Sequence, residues 1–101
     1  MVCALTVRTL KPGTFDQFRE AFLPDRNDPP EGWVRFNMLR STENPDEVIT
    51  FGFFDGSADD LRTSARRDDY EGQLKAIEPY VESVGADGLY EIVEEFELAR
   101  R

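Results

Sequence analysis

Three side chains at alternate positions of one apolar run could do chemistry together: Trp33, Arg35 and Asn37, in Trp33-Val34-Arg35-Phe36-Asn37-Met38-Leu39-Arg40. Residues two apart on an extended segment share a side. An amide and a guanidinium on that side can both donate to an ionised hydroxyl, and an indole beside them can stack on a flat ring. A phenolate held this way loses an electron to dioxygen more readily than the neutral phenol does. Tyr70 or Tyr80, on a helical layer above, would donate or relay the proton. Asn37, Arg35 and Tyr70 are therefore the catalytic candidates. Trp33, Thr6, Thr50, Gly52 and Phe54 are the candidate binding residues: two aromatic walls, two hydroxyls and a glycine that lets another group approach the strand.

Each candidate also has a plainer use. Trp33 at a strand start serves as core or interface packing. Arg35 pairs equally well with Glu91 across a sheet, and Thr50 can satisfy the Asn37 amide. Tyr70 and Tyr80 suit the edge of a core. Cys3, in a strand and with no histidine anywhere in the chain to activate it, reads as a small buried apolar residue. Asp59-Asp60 and Asp68-Asp69 are consecutive residues that point apart on a helix, so they read as helix-start charges or a solvated face and not as a metal site. The sequence holds no Ser/Cys–His pair, no Cys/His metal spacing and no phosphate-binding glycine loop.

The candidates need a scaffold, and the stretch 33–54 supplies one. WVRFNMLR and EVITFGFF flank Ser41-Thr42-Glu43-Asn44-Pro45-Asp46, the pattern of a β-hairpin. Pairing Leu39 with Val48 sets Asn37 opposite Thr50, Arg35 opposite Gly52 and Trp33 opposite Phe54. One face is then apolar (Val34, Phe36, Met38, Ile49, Phe51, Phe53). The other is mixed and carries the candidate site.

Before the hairpin, Cys3–Leu10 alternates Cys3, Leu5, Val7 against Ala4, Thr6, Arg8, and reads as a strand ended by Lys11-Pro12-Gly13. Thr14 is placed to N-cap a helix carrying Phe15, Phe18 and Phe22 on one stripe and stopped by Pro24. A loop over 25–32 leads into the hairpin. After it, Ser57 with Asp60 three residues on forms a capping box. Leu61 and Ala65 open a second helical region, broken near 66–69. Tyr70, Leu74, Ile77, Val81 and Val84 continue its stripe, with a short new helix near Glu78 because Pro79 suits a first turn. Gly85 and Gly88 close the region. Leu89–Phe96 reads as the last strand.

The order strand, helix, strand, strand, helix, strand predicts an α+β, ferredoxin-like βαββαβ fold, with a four-stranded antiparallel sheet and both helices on one face. Two helices shelter one face only, yet both faces carry large apolar groups. A lone copy would expose a patch beyond roughly 600 Å², so the second face is expected to pack on a second copy with twofold symmetry.

The chain has 101 residues, 40% hydrophobic and 33% charged, as expected of one soluble domain spanning 1–101. A net charge of −9 argues against nucleic acid and against anionic membrane surfaces as partners. With Cys3 as the single cysteine no intrachain disulfide can form, and a reducing cytoplasm is the natural compartment. No secretory leader pattern opens the sequence, and no apolar run is long enough to span a bilayer.

The hairpin Gly32-Trp33-Val34-Arg35-Phe36-Asn37-Met38-Leu39-Arg40-Ser41, with Glu43-Asn44-Pro45-Asp46 and the apolar strand after it, resembles the antibiotic biosynthesis monooxygenase (ABM) family of dimeric α/β barrels. Lys11-Pro12-Gly13 before a helix and the segment 59–70 follow the same order, so the resemblance runs from about Val2 to Phe96. It implies two ferredoxin-like units packed sheet against sheet, each with a pocket between its own sheet and helices. It also implies oxidation of phenolic, polyketide-like or quinol substrates by dioxygen without metal or flavin, hence no cofactor. Some family members degrade haem and others have no assigned reaction, which leaves a non-catalytic homodimer that binds a small hydrophobic molecule, or a purely structural one, as the alternative. The sequence departs from the family in lacking histidine, the commonest axial haem ligand, and in carrying Gly52 and Phe54 where relatives often have an acid and a tryptophan.

Overall fold

The computed structural model of the chain describes residues 1–22, 31–62 and 67–98, with residues 67–71 described as backbone only. Strand β1 (Val2–Leu10) leads through the Gly13 turn (φ +76°) into α1 (Phe15–Phe22). The hairpin follows as β2 (Trp33–Arg40) and β3 (Glu47–Phe54). Helices α2 (Ala58–Arg62) and α3 (Arg67–Ile77), a 3₁₀ turn (Glu78–Tyr80) and β4 (Val81–Glu91) complete the order. The sheet is antiparallel, ordered β2-β3-β1-β4, and the helices cover one face. This is the expected ferredoxin-like α+β fold.

The helices are held by the residues that announced them. Phe18 and Phe22 are buried with Leu10, Val48 and Ile77, and Phe15, Met38, Tyr80 and Val81 pack around that cluster. Gln73 Nε2 donates to the Phe22 carbonyl at 2.6 Å, tying the end of α1 to α3. Thr14 stands where α1 starts, its carbonyl accepting from the Phe18 amide. Its hydroxyl, however, donates to the Lys11 carbonyl at 2.7 Å and so closes the preceding turn. Ser57 and Asp60 form the reciprocal capping box: the Ser57 amide donates to Asp60 Oδ2 at 3.0 Å, and the Asp60 amide to Ser57 Oγ at 3.1 Å. The expected stop at Pro24, the loop from 25 to 30 and the turn at Ala65 lie outside the described residues.

Two expectations are corrected. Val81 and Val84 do not continue a helix, and Gly85 and Gly88 do not close one. All four lie in β4, which pairs with β1 from Leu10↔Val81 to Val2↔Glu91. The spacing 77, 81, 84 mimics a helical stripe, but Pro79 ends the helix and the whole length of β1 needs a partner on that side. β4 shifts register twice to follow it. Past Glu91 the ladder ends, so the expected strand from Leu89 to Phe96 is strand only to Glu91. Val93, Phe96 and Leu98 are 87%, 77% and 86% exposed.

The second correction concerns the hairpin phase. Trp33 does face Phe54, but Val34 is an extra residue between Trp33↔Phe54 and Arg35↔Phe53. From there every pairing is displaced by one: Phe36↔Gly52, Asn37↔Phe51, Met38↔Thr50, Leu39↔Ile49. A bulge puts two residues opposite one, so the strand beyond it turns its other side to the core. The loop itself closes as expected. Ser41 Oγ accepts from the Glu43 and Asn44 amides, and Asn44 Oδ1 accepts from the Asp46 amide.

Candidate functional site

Strand register sets which side chains the helices cover, because residues directly opposite in the ladder share a face. On the inner face, under the helices, four rows cross the sheet in the order β4-β1-β3-β2. They are Val84–Arg8–Val48–Arg40, Asp87–Thr6–Thr50–Met38, Leu89–Ala4–Gly52–Phe36, and Glu91–Val2–Phe54–Trp33. On the outer face lie Leu5, Phe51 and Asn37, then Cys3, Phe53 and Arg35, then Val7, Ile49 and Leu39.

Five of the expected binding residues therefore come together. Thr6, Thr50, Gly52, Phe54 and Trp33 all sit on the inner face, and the first four are buried. Phe36 and Trp33 stack at 4.7 Å between ring centres, and Phe54 meets Trp33 edge-on at 5.4 Å. Both rings of the stack lean over Gly52. A Cβ built there would stand 2.7 Å from the Phe36 ring and 2.8 Å from the indole, which is why this position holds glycine. Gly32 (φ +87°) is confined in the same way by the Phe54 ring. The result is a wall of three aromatic rings at the end of the sheet away from the Phe18–Ile77 core.

Arg35 and Asn37 are not part of this group. The bulge at Val34 turns them to the outer face, where the Arg35 guanidinium lies 4.7 Å from the centre of the Phe53 ring. Tyr70 belongs to α3, and its side chain lies outside the described residues. Tyr80 packs against the core cluster. Cys3 is on the outer face, and burial pushes its thiol above the ordinary range, away from the reactive thiolate.

The residue that sequence reasoning passed over is Arg8. It is 3% exposed, in the middle of the inner face. Its Nη1 donates to Thr50 Oγ1 at 2.8 Å, and its guanidinium carbon stands 5.5 Å and 5.8 Å from the centres of the Phe22 and Phe18 rings. One row along, Thr6 Oγ1 donates to Asp87 Oδ1 at 3.0 Å. Arginine is almost never fully buried without a specific arrangement of partners. The signal was available: in a βαββαβ fold the first strand is central, so a charge in its middle has no edge to escape to.

A polar belt of Arg8, Thr50, Thr6 and Asp87 thus crosses the sheet between the Phe18–Ile77 core and the Trp33–Phe36–Phe54 wall. Chemically it offers a fixed cation and two hydroxyls beside flat aromatic surfaces. Among the described residues no group of three or more His, Cys, Asp and Glu side chains is arranged to hold a metal ion, and no helix is long and apolar enough to cross a membrane.

No family model matches the sequence, and no curated protein matches it. Solved structures do match. A protein from Chloroflexus aurantiacus, provisionally named an antibiotic biosynthesis monooxygenase, superposes with a TM-score of 0.74 at 12% identity, over 97% of this chain and 98% of its own. A conserved protein from Methanosarcina mazei superposes at 0.72 with 14% identity, over 88% and 89%. SnoaB, a cofactor-independent oxygenase from Streptomyces nogalater, superposes at 0.63 with 15% identity, over 93% and 94%. The chain therefore has the fold of the antibiotic biosynthesis monooxygenase structures over nearly its whole length.

Proposed function

We propose that the protein is a homodimeric, cofactor-independent oxygenase acting on a small aromatic substrate of phenolic, quinol or polyketide type. The supporting observation is the belt of buried polar side chains, Thr6, Thr50 and Arg8, on the sheet face where a helix-covered core is ordinarily apolar, bordered by the Trp33–Phe36–Phe54 wall. The fold shared with SnoaB is consistent with it. On this reading the wall stacks on the substrate ring while the belt favours its ionised form. The anion passes electrons to dioxygen. At a ring methylene, one oxygen atom replaces two hydrogens as a carbonyl and the other leaves as water, so no further reductant is needed.

Arg35 and Asn37, on the outer face, belong on this reading to the contact between copies. The second copy covers the half-buried Leu5, Val7, Ile49, Phe51 and Phe53. An oxygen-electrode assay against hydroquinones and anthrones tests the reaction. Uptake that is lost in Thr50→Val and kept in Asn37→Ala supports it, and no uptake with any member of the panel contradicts it.

One observation favours a second reading, a dimer whose inner face is filled by its own side chains: the Phe36 and Trp33 rings already occupy the space above Gly52. Ligand-induced thermal shifts separate the two readings, because a filled face gives none.

A further inference from the structure

We infer that residues 93–98 form an exchanged arm, which adds as a further strand to the free edge of β2 in a second copy of the chain. The inference rests on the reading of the protein as a homodimer and goes further, to the segment that one copy gives the other and to the strand that receives it.

The arm has the pattern of a half-buried strand and lacks a sheet. The Ile92 amide still donates to the Met1 carbonyl, at 3.5 Å. Beyond it, among the described residues, no hydrogen bond ties Val93–Leu98 to the rest of the chain, and Val93, Phe96 and Leu98 are exposed. Ile92-Val93-Glu94-Glu95-Phe96-Glu97-Leu98 follows a period of two. Ile92, Phe96 and Leu98 share one side with Glu94, and Val93 shares the other with Glu95 and Glu97. Leaving these apolar side chains in water forfeits the gain that burial brings.

Charge selects the edge that takes the arm. The sheet has two edge strands, β2 and β4. β4 carries Glu82, Asp87 and Glu91 and no base, so it repels a segment that carries Glu94, Glu95 and Glu97. β2 carries Arg35 and Arg40 and no acid. Among the described residues no strand pairs with its outer edge, and Val34, Phe36 and Leu39 are exposed along it. An extended segment adds to such an edge through main-chain hydrogen bonds, and its side chains then lie beside those of the edge strand. The arm offers acids and large apolar groups where β2 offers bases and large apolar groups.

The arm does not serve its own copy. β4 and β2 are opposite edges of the sheet, about 14 Å apart across the strands between them. Residues 93–98 span roughly 20 Å when extended, so crossing to their own β2 leaves little chain to pair along it. On the β2 of a second copy the arm lies beside Phe36 and closes the open edge of the Trp33–Phe36 wall.

The test uses the full chain. Phe96→Ser combined with Leu98→Ser changes exposed side chains only, so the fold is expected to stand. Hydrogen exchange read by mass spectrometry is expected to be at least roughly tenfold faster over β2 in this variant than in the wild-type dimer, and sedimentation is expected to show a weaker dimer. Cross-linking locates the arm independently of that variant. With Cys3 replaced by Ser throughout, chains carrying Phe96→Cys are mixed with chains carrying Asn37→Cys on β2 or Glu82→Cys on β4 and joined by a short bismaleimide. Mass spectrometry of the mixed products is expected to show joining to β2 and little to β4. Equal exchange over β2 in the two proteins, or joining to β4 in preference to β2, overturns the arm and leaves the dimer standing. Wild-type protein that sediments as a monomer overturns both.

Discussion

The two faces of the one sheet differ in what covers them and in what they carry. The inner face, sheltered by helices, carries a buried arginine and two buried threonines. The outer face, which no helix among the described residues covers, carries Leu5, Val7, Ile49, Phe51 and Phe53. An isolated domain gains most by burying its greasiest surface under its own helices. A chain whose helices cover an apolar core crossed by a polar belt, while Phe51, Phe53 and their neighbours lie on the opposite face, has two tasks for its sheet. On the proposed function, the outer face is completed by another copy and the inner face is shaped for a ligand more than for stability.

The comparison breaks first, and at the level of the whole assembly, at the outer face. Phe51→Glu places a charge amid half-buried apolar side chains. If that face is a dimer contact, the substitution weakens association by at least roughly 30-fold, the scale of a hot-spot loss. Sedimentation velocity reads this as conversion of dimer to monomer. An unchanged sedimentation profile would mean that the outer face is not the contact.

At the apolar end of the inner face, Phe18→Ala removes a fully buried ring from the cluster with Leu10, Val48 and Ile77. The expected loss is about 3–5 kcal/mol by chemical denaturation. In the middle of that face, Thr50→Val takes the acceptor from a buried guanidinium. It should cost about 1–3 kcal/mol and reduce ligand binding more than Asn37→Ala does. The opposite ranking in a binding titration would move the site to the outer face. Beside them, Gly52→Ala drives a methyl into the Phe36 and Trp33 rings. Because both rings are on the edge strand β2 and can give way, about 1–3 kcal/mol is expected, together with a change in tryptophan fluorescence.

The smallest effect lies outside both faces and calibrates the rest. Hydrogen bonds from the Ser57 amide and hydroxyl hold the Asp60 carboxyl below its ordinary range. A depressed folded-state pKa means that its stabilising contribution is present above about pH 4, where the free carboxyl ionises, and fades as pH falls through the folded value. Asp60→Asn should therefore lower the melting temperature slightly at pH 7 and not at all in strong acid.

Where the sequence was legible, local chemistry decided the outcome. The Phe15–Phe18–Phe22 stripe, the Ser-Asn-Pro-Asp loop and the Ser57–Asp60 box each act within a few residues, and the strand–helix order follows from them. Where it was not, a distant partner decided. The bulge at Val34 follows from how β2 meets β3, and no residue type there announces it. It moved Arg35 and Asn37 to the other face and broke up the expected site. The extent of β4 follows from the length of β1, against a spacing that looked helical. Arg8 was hidden for a related reason. In one strand a charge alternating with Leu5 and Val7 reads as the solvent side, and only the strand order, which makes β1 central, speaks against that.

The account is tested most directly by a crystal structure of the protein grown with 7-hydroxycoumarin. It predicts a second copy against Leu5, Phe51 and Phe53, with the probe between sheet and helices and its ring on the Trp33–Phe36 wall. A lone copy with that outer face in solvent, or a probe bound anywhere but under the helices, would contradict it.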